Sequence, residues 1–166
     1  MSLFRHSIII AFTFICAALI AGCVIESSWN IGMKAPEVSV LDLNDKVVKL
    51  SDFKGNVVAL RFWSSACKAC VNEMPAIDDI GKKYSGRGMV ILAVNIGESK
   101  ETVERFVKKL NISYPVLLDP AHIAAKKYGV IGVPTTFFID RNGIAKKAVV
   151  GAIAQKEFEK TIVGML

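Results

Sequence analysis

The stretch "NVVALRFWSSACKACVNEMP", Asn56–Pro75, holds the two local patterns around which the rest of the chain is organised. Its first half, Asn56–Trp63, is a near-continuous apolar run, as expected of a strand covered on both faces. Its second half changes period. Cys70, Met74, Ile77 and Tyr84 recur at helical spacing, which predicts a helix from near Cys67 to about Tyr84 with those residues inward. Pro75 lies inside it, so a kink is expected there. Two cysteines, Cys67 and Cys70, therefore stand at a strand-to-helix junction with two residues between them.

The flanking sequence continues in the same style. Upstream, "EVSVLDL" and "KVVKL" alternate around Asn44-Asp45 and predict a hairpin. Ser51 is placed to cap a short turn at "SDFKG". Downstream, "GMVILAVNI" reads as a second buried strand. "SKETVERFVKKLN" reads as a helix capped by Ser99, with Val103, Phe106, Val107 and Leu110 as its apolar stripe. "YPVLLD" is a short strand and "PAHIAAKKYG" a helix that Gly129 can end. "GVPTTFFID", the turn "RNG" and "IAKKAVVG" read as strand, turn and strand, and "AQKEFEKTIVGML" as a last helix. Strand–helix–strand spacing calls for a parallel pair with a right-handed crossover, and the late hairpin adds antiparallel strands. The expected class is α/β, a mixed sheet flanked by helices. The 166 residues suffice for one domain with a real core, and no repeat or low-complexity segment divides them.

The first residues differ from the rest. Arg5 and His6 precede the apolar run "IIIAFTFICAALI", and "AGC" follows, ending at Cys23. A cation, a hydrophobic run and small residues at its end read as an export signal over residues 1–22. "LIAGC" resembles a bacterial lipobox, in which Cys23 receives lipid; Cys16 would be lost with the signal. The alternative is an uncleaved anchor, since Ile8–Ile25 is just long enough to span a bilayer. Both readings put the domain outside the cytoplasm on a membrane. Residues 23–34 then read as an aperiodic tether and 35–166 as the folded domain. The chain carries 21 Lys+Arg against 15 Asp+Glu. Lys82-Lys83, Lys108-Lys109 and Lys126-Lys127 fall near predicted helix ends, where cations favour the dipole. They read as solvated surface charge, with weak attraction to anionic headgroups as the alternative. No aromatic-interleaved basic groove is present, so no nucleic-acid partner is expected.

The cysteine pair admits three uses. Structural zinc needs four ligands, and beyond the pair the domain offers only His122 and Cys23, so no metal is expected. A copper-chaperone role meets the same shortage. A purely structural disulfide would close so short a loop that it contributes little stability. At a helix start, however, free N–H groups and the positive dipole end favour a thiolate. Cys67, at the N-terminal edge, is expected to be the exposed nucleophile and Cys70, one turn on, the inward resolving thiol. Cys67 would attack a disulfide sulfur, and Cys70 would then attack Cys67 and release the reduced substrate, without a cofactor. Lys68 adds positive charge beside Cys67.

"FWSSACKACVNEMP", "AVNIGESKETVERFV", "YPVLLD" and "GVPTTFFID" together resemble the membrane-tethered thioredoxin-like proteins of the TlpA/ResA type, over about Ala35–Leu166. The resemblance implies a thioredoxin fold with an N-terminal hairpin and a helical insert at about Gly97–Asp119. It implies that Cys67 and Cys70 form the redox-active disulfide and that Pro134 is a cis-proline against it. Val133 would then pair with an extended substrate, and Trp63 would lie beside the site as a substrate contact, with plain core packing as the alternative. Glu73 matches an acid that accepts the proton of Cys70. Three positions depart from the family: Ala66 replaces a tryptophan, Ala69 a proline, and Arg61 stands where thioredoxin has a buried acid. Arginine cannot act as that base; pairing with Glu73 and a place at the sheet edge are its two expected uses. The family role is reduction of exported protein disulfides such as those of apocytochrome c, with electrons from a membrane thiol transporter of the DsbD/CcdA type. The alternatives are a dithiol oxidase or isomerase, a peroxiredoxin-like peroxidase, and a non-catalytic lipoprotein.

Overall fold

The computed structural model describes residues 29–166; the expected export signal and the lipidation site Cys23 lie outside them. Among the described residues, seven strands form one sheet in the order β2-β1-β5-β4-β3-β6-β7. They are β1 Ser39–Asp42, β2 Val47–Lys49, β3 Val57–Trp63, β4 Met89–Ile96, β5 Val116–Asp119, β6 Thr135–Ile139 and β7 Ala145–Val150. β3, β4 and β5 run parallel, and the other pairings are antiparallel. The thioredoxin-like α/β fold with an N-terminal hairpin is thus present. No helix of the described residues is long and apolar enough to cross a membrane.

The helices are α1 Lys68–Tyr84, α2 Lys100–Leu110, α3 Ile123–Lys127 and α4 Gln155–Val163. All seven residues of β3 are buried, because helices or loops cover both of its faces. On one face Val57, Ala59 and Trp63 pack with Cys70, Met74 and Ile77 of α1 and Phe158 and Ile162 of α4. On the other, Val58, Leu60 and Phe62 pack with Leu92, Tyr128 and Phe137. α2 is capped by Ser99, whose hydroxyl accepts from Thr102 N. Its stripe buries Val103 fully and seats Phe106, Val107 and Leu110 against the core.

Three expectations need correction. Ser51 does not cap the short turn, which is a 3-10 helix over Leu50–Phe53. The cap is the Asp52 carboxylate, which accepts from Lys49 N at 2.9 Å, because it reaches back where a serine hydroxyl inside the turn cannot. The helix at "PAHIAAKKYG" is shorter than its pattern. His122 is left-handed at φ 59°, and the Asp119 carboxylate starts α3 by accepting from Ile123 N and Ala125 N, both at 2.8 Å. Finally, the folded domain begins before Ala35. Trp29 stacks edge-on to Tyr128 at 5.0 Å and donates Nε1–H to the Lys127 carbonyl at 3.0 Å. Gly32 N and Met33 O bond Ala145, and Ala35 N bonds Gly143 O. An aromatic anchor and a few edge bonds give no periodic signal, so Trp29–Lys34 read as tether.

Candidate active site

β3 ends at Trp63, and the turn Ser64–Ala66 carries the chain to the N-terminus of α1. Cys67 is the N-cap of α1, and its sulfur accepts the Cys70 backbone N–H at 3.1 Å. The two cysteines form a disulfide with Cα atoms 5.2 Å apart. Cys67 is half-buried and Cys70 is 0 % exposed. Only one sulfur is therefore open to an incoming group. Ala66, Lys68 and Ala69 around it are exposed, so small methyl side chains stand on either side of the Cys67–Lys68 pair.

The Val133–Pro134 peptide is cis, and the Val133 carbonyl oxygen stands 3.6 Å from Cys67 Sγ. The Thr135 hydroxyl donates to the Gly132 carbonyl at 2.6 Å and pins the turn that carries this pair. A cavity of ≈ 250 Å³ opens beside it, lined by Ser64, Ile96, His122, Ile131 and Val133 among others. Ile131, on its rim, is 91 % exposed. An open sulfur, a backbone segment and a hollow of mixed polar and apolar lining thus lie together.

Arg61 faces the α1 side of the sheet. It is 1 % exposed and pairs through Nη2 with Glu73, three residues beyond Cys70. Its Nη1 donates to Thr136 Oγ1 at 3.0 Å, and the other Glu73 oxygen accepts from Ile153 N at 2.6 Å. Of the two expected uses of Arg61, pairing with Glu73 is the one found, since β3 lies inside the sheet. Trp63 lies beside the redox pair, but as core rather than as substrate surface: at 1 % exposure it belongs to the cluster that holds Cys70. It supports the pair from below, because a side chain sealed under α1 has no surface to offer a substrate.

A second acid had no place in the sequence reading. Glu98 accepts from Ser65 N at 2.8 Å, from the Ser65 hydroxyl, and from Asn95 Nδ2 at 2.5 Å. Burial opposes its ionisation, but the bonds from Asn95 and Ser65 outweigh it and hold the carboxyl below its ordinary value. Glu98 thereby ties the turn before Cys67 to the end of β4. Its only sequence signal was its place between Gly97 and the cap Ser99.

Comparison with known proteins agrees with this geometry. Residues 31–148 match the model of the AhpC/TSA family. The chain belongs to the AhpC/TSA family. Within this family it is similar to the thiol-disulfide oxidoreductase ResA of Geobacillus thermodenitrificans, 36% identical over 130 residues, 78% of this chain and 75% of the relative. It is likewise similar to ResA of Bacillus subtilis, 37% identical over 130 residues, 78% and 73% of the two chains. Among solved structures, one described as a thiol:disulfide interchange protein DsbE from Chlorobium tepidum is 34% identical with a TM-score of 0.78. It covers 83% of this chain and 99% of that one. This AhpC/TSA member is a thiol–disulfide oxidoreductase of the ResA/DsbE type, and the TlpA/ResA resemblance of the sequence holds.

Proposed function

We propose that this oxidoreductase works as a reductase of disulfides in exported proteins, apocytochrome c among them, on the outer face of a bacterial membrane. The tether is the Cys23 lipid or the uncleaved apolar segment before it. In the working cycle the Cys67 thiolate attacks a substrate sulfur, and the substrate's other sulfur leaves as a thiolate. Cys70 then attacks Cys67, the mixed disulfide breaks, and the substrate leaves as a dithiol while the domain holds the Cys67–Cys70 disulfide. A membrane thiol transporter of the DsbD/CcdA type returns two electrons.

The arrangement of the two sulfurs carries the mechanism. A Cys67 thiolate accepts the Cys70 N–H and lies at the positive end of the α1 dipole, with Lys68 in the first turn adding a cation. Cys70 is sealed beneath, in the core cluster with Trp63 and Met74, with Cys67 as its disulfide partner. The substrate segment lies along Val133 and Pro134, with an apolar side chain in the hollow beside Ile131. Glu73 takes the proton of Cys70; each of its oxygens keeps a second lone pair beside the bonds to Arg61 and Ile153. The direction of the cycle rests on similarity to ResA and the anchor on residues 1–23.

The test is the reduction potential, by thiol trapping across a redox buffer series. The expected value is at or below about −250 mV, in the range of thioredoxin-like reductants. A value of about −120 to −180 mV belongs with oxidases and isomerases and overturns the reductive direction.

A further inference from the structure

The end of the sheet opposite the redox pair carries an excess of cations. In the β6–β7 register Thr135 pairs with Val150 at the active-site end and Ile139 with Ala145 at the other. Around that second end stand five exposed cations, Lys34, Lys54, Arg87, Arg141 and Lys146. Local bonds hold them together. Gly55 N bonds the Arg141 carbonyl, Arg141 Nη2 donates to the Arg87 carbonyl at 3.3 Å, and Lys34 bridges Ile144 beside Lys146.

Three acids lie nearby, so the five cations are in formal excess by two. Asp140 accepts from Asn142 N and Ile144 N at 2.9 Å and stands 3.7 Å from Lys146. Asp52 accepts from Lys49 N, and Glu37 from Ser51 N. A cavity of ≈ 420 Å³ opens at this end; Lys34 and Lys54 stand in its wall with the carboxylates Glu37 and Asp140, and Phe53, Val58 and Ile139 lie behind them. Ile31 and Met33, both exposed, lie next to it along the chain.

We propose that this basic pole is a seat for the phosphate headgroups of an anionic phospholipid surface, so that the domain stands on the membrane with its redox pair pointing away. The membrane is the favoured occupant for two reasons. Cationic and apolar side chains together suit a headgroup layer. Trp29, the first described residue, also stands six residues after Cys23, a span of at most about 21 Å. The inference thus rests on the tether reading. β3 is seven residues long, so the redox pair stands about 20 Å above the pole, open to polypeptides arriving from solution.

The test uses the full chain reconstituted in vesicles of phosphatidylcholine alone or of equal parts phosphatidylcholine and phosphatidylglycerol, followed by amide hydrogen exchange. The expected result is several-fold slower exchange over 33–35, 54–56 and 141–146 with the anionic vesicles only, reversed by high salt. Lys34→Glu with Lys146→Glu should abolish it and leave reduction by dithiothreitol unchanged. Equal exchange in both vesicles overturns the proposal. So does protection at the rim 123–134 instead, or the same protection from inorganic phosphate with neutral vesicles. Flotation with neutral vesicles reads the tether separately: a chain that does not float loses the tether reading, while anionic protection of the pole still reports on the seat.

Discussion

Arg61 and Glu73 form a partly buried ion pair that joins four segments around the redox pair: β3, α1, the strand after Pro134 and the turn before α4. The Arg61 guanidinium is sealed from water, while Glu73 is partly exposed. Removing one leaves the other uncompensated. Arg61→Met or Glu73→Gln is therefore expected to cost about 3–5 kcal/mol, and the double variant much less than the sum of the two. Denaturant unfolding of the oxidised protein measures both; additive losses would show that the pair is not coupled.

Acid should loosen the turn that carries Cys67. The Glu98 carboxyl is held below its ordinary value in the folded state by Asn95 and Ser65, against burial. Asp78, buried too, is held low by Lys82 and Ser113. A lowered folded value means a contribution fully present above the unfolded carboxylate range, about 4.3 for Glu. It is lost as pH falls through the folded value. Stability should fall with pH below about 4, and Glu98→Gln should flatten part of that slope. An unchanged slope in the variant would remove Glu98 from the account.

The two thiols should differ sharply once reduced. Cys67 is half-buried and Cys70 sealed, so iodoacetamide should alkylate Cys67 first and leave Cys70 largely free. Cys67→Ser should abolish disulfide reduction. Cys70→Ser should trap a mixed disulfide through Cys67, visible by mass spectrometry. Prompt labelling of Cys70 in the native protein would contradict this order.

Gly97 sits at φ +75°, and a Cβ placed there would lie 2.5 Å from His122 Nε2. Gly97→Ala should cost about 1–2 kcal/mol from the left-handed backbone alone. It should also push the imidazole out of the hollow beside Cys67. The expected readout is a higher KM for peptide disulfides with an unchanged rate of reduction by small thiols.

The sequence reading reached the periodic parts of the molecule and stopped at the aperiodic ones. Buried runs such as Val57–Trp63 and stripes such as Val103–Leu110 repeat their signal, and a single residue out of place does not obscure them. Cys67 and Cys70 were legible because their spacing and their junction carry chemistry together. Glu98 gave no such signal: its partners Ser65 and Asn95 are brought to it only by the parallel pairing of β3 and β4, and no local pattern announces a contact across strands. Ser51 and Asp52 are both plausible caps in sequence, and only the path of the backbone at Lys49 separates them. Trp29 looked like tether because one aromatic ring in an irregular segment has no period.

Trp29 yields a prediction of its own. Its ring packs on Tyr128 and Phe137, and its indole N–H is spent on the Lys127 carbonyl. Trp29→Ala should cost about 2 kcal/mol, less than a full core aromatic because the ring is partly exposed. A soluble domain begun at Asn30 should show the same loss against one begun at Ser28. Equal melting temperatures would show that the ring contributes nothing in solution.

The short run Gly32–Ala35 has a wider consequence. It occupies hydrogen-bonding positions along Gly143–Ala145, where β7 forms one border of the sheet. Border strands with free amide and carbonyl groups recruit strands from other molecules, and proteins survive by covering or charging them. The strap covers the first part of this border, and Lys146 and Lys147 charge the next. A protein clipped just after Ala35, and so stripped of the strap, would keep its redox pair intact and yet self-associate, so its shelf life would be governed by proteolysis at the N-terminal end of the domain.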